Sequence, residues 1–209
     1  MNNGNNNLEK RFNTSFKTKS IYSIFILFSG LLLGFIAKFA DNYFFVGELT
    51  TNIGIWIFIA TLIVIYSYTP LSACVNNFIF FISLLASYYS YTFYLFNSLP
   101  INYIKYWLII TIISSIGSYF IWYANSSKRS SVIWAAISPI LLILDSYSFY
   151  YTFKPISGLS LIFSIILIIL VPKTIKQKKQ TILIILIVTF ILIFILKIDI
   201  YTIIYSLFY

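Results

Sequence analysis

Asp145 is the single acidic side chain that lies well inside one of the long apolar segments of this chain. A carboxylate in such a segment is costly in hydrocarbon unless it faces a partner, a cavity or water, so its position is a functional hypothesis by default. Together with tyrosine rings, one carboxylate suits a cationic or amphipathic ligand, through charge pairing and cation–π contacts. Binding of such a ligand is the chemistry that this residue predicts.

Other reactive groups are scarce. The 209 residues include no histidine, which removes the usual general base and the commonest metal ligand. Cys74 is the only cysteine, so an internal disulfide is excluded. The acidic residues never recur at the spacing of three or four that places two carboxylates on one helix face, and they are Glu9, Asp41, Glu48, Asp145 and Asp199. We therefore predict that the protein is not an enzyme and uses neither a metal nor a cofactor.

The composition indicates a membrane protein. Hydrophobic residues make up 60% of the chain and charged residues only 9%, where a soluble domain carries about 25% charged residues. The charges lie between apolar runs, most of which reach the roughly 20 residues that a helix needs to cross a bilayer. The fold class predicted from this pattern is all-α, a polytopic bundle of transmembrane helices whose main partner is the lipid bilayer.

Apolar runs and prolines predict seven spans. Four prolines fall in the proposed connections, where a missing N–H costs least, and these are Pro70, Pro100, Pro155 and Pro172. The predicted spans are 20–40, 52–68, 71–96, 104–124, 132–152, 156–171 and 181–197. Residues 1–19 are predicted to form a disordered basic cytoplasmic tail, 20–197 the helix bundle, and 198–209 an aromatic tail at the interface.

Basic residues predict the orientation, because cytoplasmic loops of membrane proteins carry an excess of lysine and arginine. With the N-terminus inside, ten basic residues fall on the inner side, namely Lys10, Arg11, Lys17, Lys19, Lys128, Arg129, Lys173, Lys176, Lys178 and Lys179. Four fall on the outer side: Lys38, Lys105, Lys154 and Lys197. Seven spans then place the C-terminus outside. The net charge of +9 is explained by these clusters, so no nucleic-acid partner is predicted.

Polar residues follow spans three, four and five at helical spacing. They are Asn76, Ser83, Ser87, Tyr91 and Tyr94 on span three, Thr111, Ser114, Ser115 and Ser118 on span four, and Ser138, Asp145, Ser148 and Thr152 on span five. These stripes are expected to point inward. One interpretation is a shared polar cavity. The other is close helix contact, with hydroxyls bonded to their own backbone. Span seven, with Thr189 as its one polar residue, is predicted to be a peripheral helix that faces lipid.

Tyrosines are unevenly distributed between the two sides of the predicted topology. Of the 18 tyrosines, thirteen fall in the outer half and five in the inner half. An aromatic belt alone would populate both interfaces. The excess predicts an outward-facing aromatic cavity, and the candidate ligand-binding residues are Asp145, Tyr88, Tyr91, Tyr147, Tyr150, Asn76 and Lys105. The alternative is a structural or accessory subunit in which Asp145 forms an internal ion pair with Lys105 or Lys38.

Two backbone features add to this prediction. Pro139 precedes Asp145 by six residues, and a proline inside a helix frees a backbone carbonyl, as in the broken helices of many transporters. A kink that only improves packing is the alternative. Gly30 and Gly34 form a G-x-x-x-G pattern on the first span, which permits close contact with another helix. In a polytopic protein we expect that contact to be internal.

Three stretches of the chain resemble a known family. They are GLLLGFIAKFAD at 30–41, NIGIWIFIATLI at 52–63, and the segment from Pro70 to Tyr91 with Asn76. Together they are similar to a family of small bacterial multi-pass membrane proteins that is grouped as a domain of unknown function, over roughly the first half of the chain. The resemblance implies a protein of the bacterial inner membrane with no assigned activity.

Overall fold

The computed structural model describes residues 13–126, 128–148 and 155–195. These residues form eight α-helices and no strand, which confirms the predicted all-α class. The helices are α1 (Phe16–Ala40), α2 (Phe44–Thr51), α3 (Ile53–Tyr66), α4 (Pro70–Phe96), α5 (Ile101–Ile121), α6 (Ser131–Asp145), α7 (Pro155–Leu170) and α8 (Ile175–Phe190). Short 3₁₀ turns follow α5 at Trp122–Asn125 and α6 at Ser146–Ser148, and a π-helical turn, Ile191–Ile195, continues α8.

Four of these helices are long and apolar enough to cross a membrane. They are α1, α4, α5 with its 3₁₀ turn, and α8 with its π-helical turn. The three others that match predicted spans, α3, α6 and α7, are shorter apolar helices. By length and composition, the chain is therefore an α-helical membrane protein. Seven spans and their orientation stay predictions.

Several boundaries differ from the prediction, and helix α8 begins six residues early, at Ile175. Helix α1 begins four residues early, at Phe16, because the Ser15 hydroxyl caps it by accepting the N–H of Thr18 at 3.3 Å. The short helix α2 occupies a stretch predicted as a connection. Helix α6 ends at Asp145, seven residues before the predicted end of its span. There the Ser146 hydroxyl donates to the carbonyl of Ile143 at 2.7 Å, a local bond that competes with helical pairing.

The chain divides into two compact units. The first contains the chain up to Thr51 together with Leu62–Trp122, and the second contains Asn52–Thr61 and the chain from Tyr123 onward. Helix α3 contributes its first part to the second unit and its last part to the first. Residues 1–12 of the basic tail predicted at 1–19 and all of the tail predicted at 198–209 lie outside the described residues, as do Tyr150 and Thr152.

In the first unit, α1 packs closely along α4. A Cβ atom on Gly30 would lie 2.6 Å from the carbonyl oxygen of Phe80, and one on Gly34 would lie 2.9 Å from the carbonyl carbon of Leu84. Any side chain at either position would therefore force the two helices apart. The G-x-x-x-G contact is internal, as predicted.

In the second unit, packing and hydroxyl contacts connect α3, α6 and α7. The rings of Phe58 and Phe163 stack with centroids 4.5 Å apart, which joins α3 to α7. The hydroxyl of Thr61 donates to that of Ser138 at 2.8 Å, which joins α3 to α6. These contacts hold in place the helix ends that carry the candidate site.

Helix α8 presents one narrow buried face. Thr181, Ile185 and Thr189 recur at four-residue spacing and are buried, whereas neighbours such as Leu183 and Leu186 are about 60% exposed. Exposed apolar surface of this extent suits hydrocarbon rather than water. The peripheral, lipid-facing position of this helix stays a prediction, and two threonines rather than one are buried.

Candidate functional site

The carboxylate of Asp145 is buried in the second unit with 1% of its surface exposed. The hydroxyl of Ser160 on α7 donates to its Oδ2 at 2.6 Å. The side chain of Asn52 and the backbone N–H of Gly54 approach the same carboxylate. We call these four residues, Asn52, Gly54, Asp145 and Ser160, the Asp145 cluster.

Two interruptions of the helices build this cluster. Asn52 is the one non-helical residue between α2 and α3, and its Oδ1 accepts the N–H of Gly54 at 2.8 Å at the start of α3. Asp145 is the last residue of α6. The carboxylate thus lies at a helix end and not, as the predicted span implied, in a helix interior. Helix ends of this kind leave backbone N–H and carbonyl groups without partners in the helix.

Glycine at position 54 is required by the closeness of the cluster. A Cβ atom there would lie 2.5 Å from Oδ2 of Asp145 and 2.8 Å from Oδ1 of Asn52, and it would also collide with the hydroxyl oxygen of Ser160. Three oxygens therefore converge on the backbone of α3. Any larger residue would displace at least one of them.

One oxygen of the carboxylate has no partner. Oδ1 of Asp145 is fully buried and accepts no hydrogen bond from the residues that the structure describes. Among those same residues, the ion pair present joins Lys38 and Asp41 at 2.9 Å. The internal ion pair of Asp145 with Lys105 or Lys38 stays a prediction. Lys154 lies outside the described residues.

Tyr88 donates a hydrogen bond to a carboxylate of its own unit. In the first unit, its hydroxyl donates to Oδ2 of Asp41 at 2.8 Å. The ammonium of Lys38 lies 5.2 Å from the centre of the Tyr88 ring and 5.3 Å from that of Phe96, both within the range of a cation–π contact. Asp41 was not among the candidate residues. The spacing of three between Lys38 and Asp41 was the signal that could have found it.

The other described candidate residues belong to both units. Tyr91, in the first unit, packs against Phe35 with ring centroids 4.7 Å apart and stacks on Tyr94, which is 81% exposed rather than inward-facing. Lys105 is exposed on α5. Tyr147 belongs to the second unit. A joint ligand site of Tyr88, Tyr91, Tyr147, Tyr150 and Lys105 with Asp145 stays a prediction.

Tyr147 lines an apolar cavity of about 580 Å³ in the second unit. Its lining residues are Ile143, Tyr147, Leu161, Leu186, Thr189, Phe190, Ile193 and Phe194. Ile143 and Tyr147 each stand two positions from Asp145, and positions two apart on a helix do not share a face. Asp145 is not among the residues that line this cavity.

Asn76 has a structural role in the first unit. Its Oδ1 accepts the hydroxyl of Ser23 at 2.6 Å, and its Nδ2 donates to the hydroxyl of Ser67 at 3.0 Å. The indole N–H of Trp122 donates to the backbone carbonyl of Ser67 at 2.8 Å. The amide of Asn76 therefore connects α1, the end of α3 and α4, with both of its polar atoms in use.

The hydroxyl stripe of span four belongs to helix packing. Thr111, Ser115 and Ser118 are buried on α5, and each donates to the carbonyl four residues earlier, at 2.6 to 2.8 Å. Hydroxyls bonded in this way present small, satisfied surfaces to a neighbouring helix. The structure supports the packing interpretation over a polar cavity for this stripe.

No protein-family model matches this chain, and searches of curated proteins and of solved structures give no match either. The class of the protein therefore rests on its helices, which define an α-helical membrane protein. The resemblance to the bacterial family of unknown function stays a prediction. Sequence reasoning missed Asn52, Gly54 and Ser160 as site residues, and the break between two apolar segments at Asn52 was the local signal for the first of them.

Proposed function

We propose that this chain is a non-enzymatic membrane protein that binds a small cationic ligand at Asp145 and holds or moves it within the bilayer. The observation that carries the proposal is the buried Oδ1 of Asp145, which lacks a hydrogen-bond partner among the described residues. A buried ionised group without a partner is strongly unfavourable, and a bound cation removes that cost.

The length of α6 supports a position inside the membrane. Lys128 and Arg129 precede the helix and fit the edge of the bilayer, since basic residues concentrate beside the ends of spans. The 15 residues of α6 then carry Asp145 about 22 Å inward. The hydrocarbon core is about 30 Å thick, so the carboxylate lies within it.

The helix interruptions at Asn52 and Asp145 support a ligand site rather than a packing contact. Irregular backbone at membrane depth is tolerated where it is buried in protein or lines a cavity. Many transporters bind substrates and ions at such broken helices, where helix ends supply unpaired polar groups. The cluster combines this backbone arrangement with the buried carboxylate.

The finer topology is part of the proposal. We infer seven spans with the N-terminus inside and the C-terminus outside, in a bacterial inner membrane. The ten inner and four outer basic residues support this orientation. The seven helices that coincide with the predicted spans support the count.

Thermal unfolding of the detergent-purified chain tests the function. The panel contains polyamines, quaternary amines, sugars, lipid head groups and inorganic cations, each applied to the wild type and to Asp145→Asn. A ligand at a hundredfold excess over its Kd is expected to raise the wild-type unfolding midpoint by about 5–10 °C. The variant is expected to show no such rise.

Asp41→Asn is the matched control. It also removes one carboxylate, but at the exposed ion pair of the first unit. It is expected to keep the full ligand response. If no cation shifts the wild type, or if Asp145→Asn responds as the wild type does, Asp145 is not the ligand site.

A further inference from the structure

We propose that the Asp145 cluster binds one dehydrated monovalent metal cation, with Na⁺ as the first candidate. This inference rests on the proposed function and specifies its ligand. The groups that face each other are oxygens: the Asp145 carboxylate, Oδ1 of Asn52 and the hydroxyl of Ser160. Hard cations prefer oxygen ligands of these kinds.

The charge of the site favours a monovalent ion. Asp145 is the one acidic side chain of the cluster, and its three neighbours there, Asn52, Gly54 and Ser160, are neutral. One positive charge therefore neutralises the site. A divalent ion would leave a net charge buried among apolar helices, which is strongly unfavourable.

The position of Asp145 at the C-terminal end of α6 adds to this preference. The end of a helix carries about half a negative charge from its unpaired carbonyl groups, so it disfavours a carboxylate and favours a cation. A buried Asp145 experiences this unfavourable field together with its own loss of hydration, and the N-terminal end of α3 at Gly54 compensates part of both. A bound cation offsets both effects.

The closeness of the cluster favours a small ion over an organic amine. Oδ2 of Asp145, Oδ1 of Asn52 and the hydroxyl oxygen of Ser160 lie so near the Gly54 backbone that a Cβ atom there would collide with all three. Ser160 has no exposed surface, and Asp145 has only 1%. The apolar cavity of the second unit is not lined by Asp145. An ion of atomic size, bound at the free Oδ1, meets these limits.

The test measures the unfolding midpoint of the full chain in detergent as NaCl replaces choline chloride at constant ionic strength and constant pH. A parallel titration uses KCl, and binding of radioactive ²²Na⁺ to the immobilised protein gives a direct readout. The wild type is expected to bind saturably and to gain stability. Asp145→Asn is expected to lose both responses, because the neutral amide keeps the shape of the side chain without its charge.

Ser160→Ala is expected to weaken the apparent Na⁺ affinity at least tenfold. Ser164→Ala is its control, since Ser164 is also a buried serine on α7 but donates at 3.4 Å to the carbonyl of Pro139. It is expected to bind Na⁺ as the wild type does. Asn52→Asp provides a second test whose expected result is a change of ion preference and not a loss of binding. Its added carboxylate is expected to shift the preference of the site from Na⁺ toward Ca²⁺.

Other outcomes overturn the inference in distinguishable ways. An organic amine that stabilises the wild type but not Asp145→Asn, without any Na⁺ effect, would leave the proposed function standing and reject the metal ion. Stabilisation that depends on pH and not on Na⁺ would identify a proton as the occupant and would also reject the metal ion. Equal responses of the wild type and Asp145→Asn to every salt and amine would reject both proposals.

Discussion

The hydroxyl of Ser160 lies 2.6 Å from Oδ2 of Asp145 and joins the first turns of α7 to the last residue of α6. The second oxygen of the same carboxylate is buried and has no partner in the described part of the chain. This asymmetry is the basis of the proposed cation site. It also determines how the protein should respond when individual groups are removed.

Asp145→Asn is expected to raise the unfolding midpoint in buffer that contains only choline as cation. The substitution removes a buried charge that nothing compensates when no ligand is bound, while the amide oxygen still accepts from Ser160. Each kcal/mol gained corresponds to about 2–4 °C for a chain of this size. Differential scanning fluorimetry in detergent measures the change. A lower midpoint would instead indicate that a cationic side chain of this protein holds Asp145, as an accessory subunit would require.

Ser160→Ala is expected to lower the free energy of unfolding by about 1–3 kcal/mol, because a buried carboxylate loses a donor. Ser164→Ala removes only a long hydrogen bond, at 3.4 Å, and is expected to cost less. Chemical unfolding in mixed micelles measures both variants. Equal losses for the two serines would show that the bond to Asp145 contributes nothing beyond packing.

Gly54→Ala is expected to disrupt the Asp145 cluster and to abolish ligand-dependent stabilisation. Its Cβ atom would lie 2.5 Å from Oδ2 of Asp145, and the helix backbone cannot yield to it. Gly117→Ala is the matched control on α5, where the added Cβ meets nothing within 4 Å. That control is expected to be neutral or stabilising by up to about 1 kcal/mol, since alanine favours the helix. Indistinguishable thermal midpoints and ligand responses for the two variants would contradict the close packing at Gly54.

Tyr88→Phe separates the sequence prediction from the structure. The substitution removes the 2.8 Å hydrogen bond to the exposed Asp41 and is expected to cost under about 1.5 kcal/mol. Ligand affinity at Asp145 is expected to stay unchanged, because the contacts of Tyr88 lie within the first unit. A ligand titration of the variant checks this. A fall of tenfold or more in ligand affinity would show that Tyr88 lines the ligand site, as the sequence predicted.

Cysteine labelling tests the proposed topology. In a Cys74→Ser background, Lys105→Cys introduces a single thiol at an exposed position on α5, and Lys128→Cys introduces one at an exposed position just before α6. A membrane-impermeant maleimide is expected to label position 105 from outside intact cells and position 128 only after lysis. Labelling of both positions from the same side would contradict the orientation inferred from the basic residues.

Local patterns in the sequence predicted the long helices, one close helix contact and the unusual carboxylate of this protein. The apolar runs predicted every long helix, because the length and hydropathy of a membrane helix are properties of contiguous residues. The G-x-x-x-G pattern at Gly30 and Gly34 predicted a close internal contact for the same local reason. Asp145 stood out by sequence alone, because a carboxylate in an apolar segment is rare whatever the fold.

Only the tertiary structure decided which groups meet that carboxylate. Ser160 and Asn52 are 108 residues apart in sequence, and Tyr88 and Asp41 are 47 residues apart. No periodicity within one helix records such pairings, because they depend on how separate helices pack and where each one ends. The sequence therefore determined that this is a helical membrane protein with one unusual buried charge. The packing of α3, α6 and α7 decided that a serine, an asparagine and a glycine contact that charge.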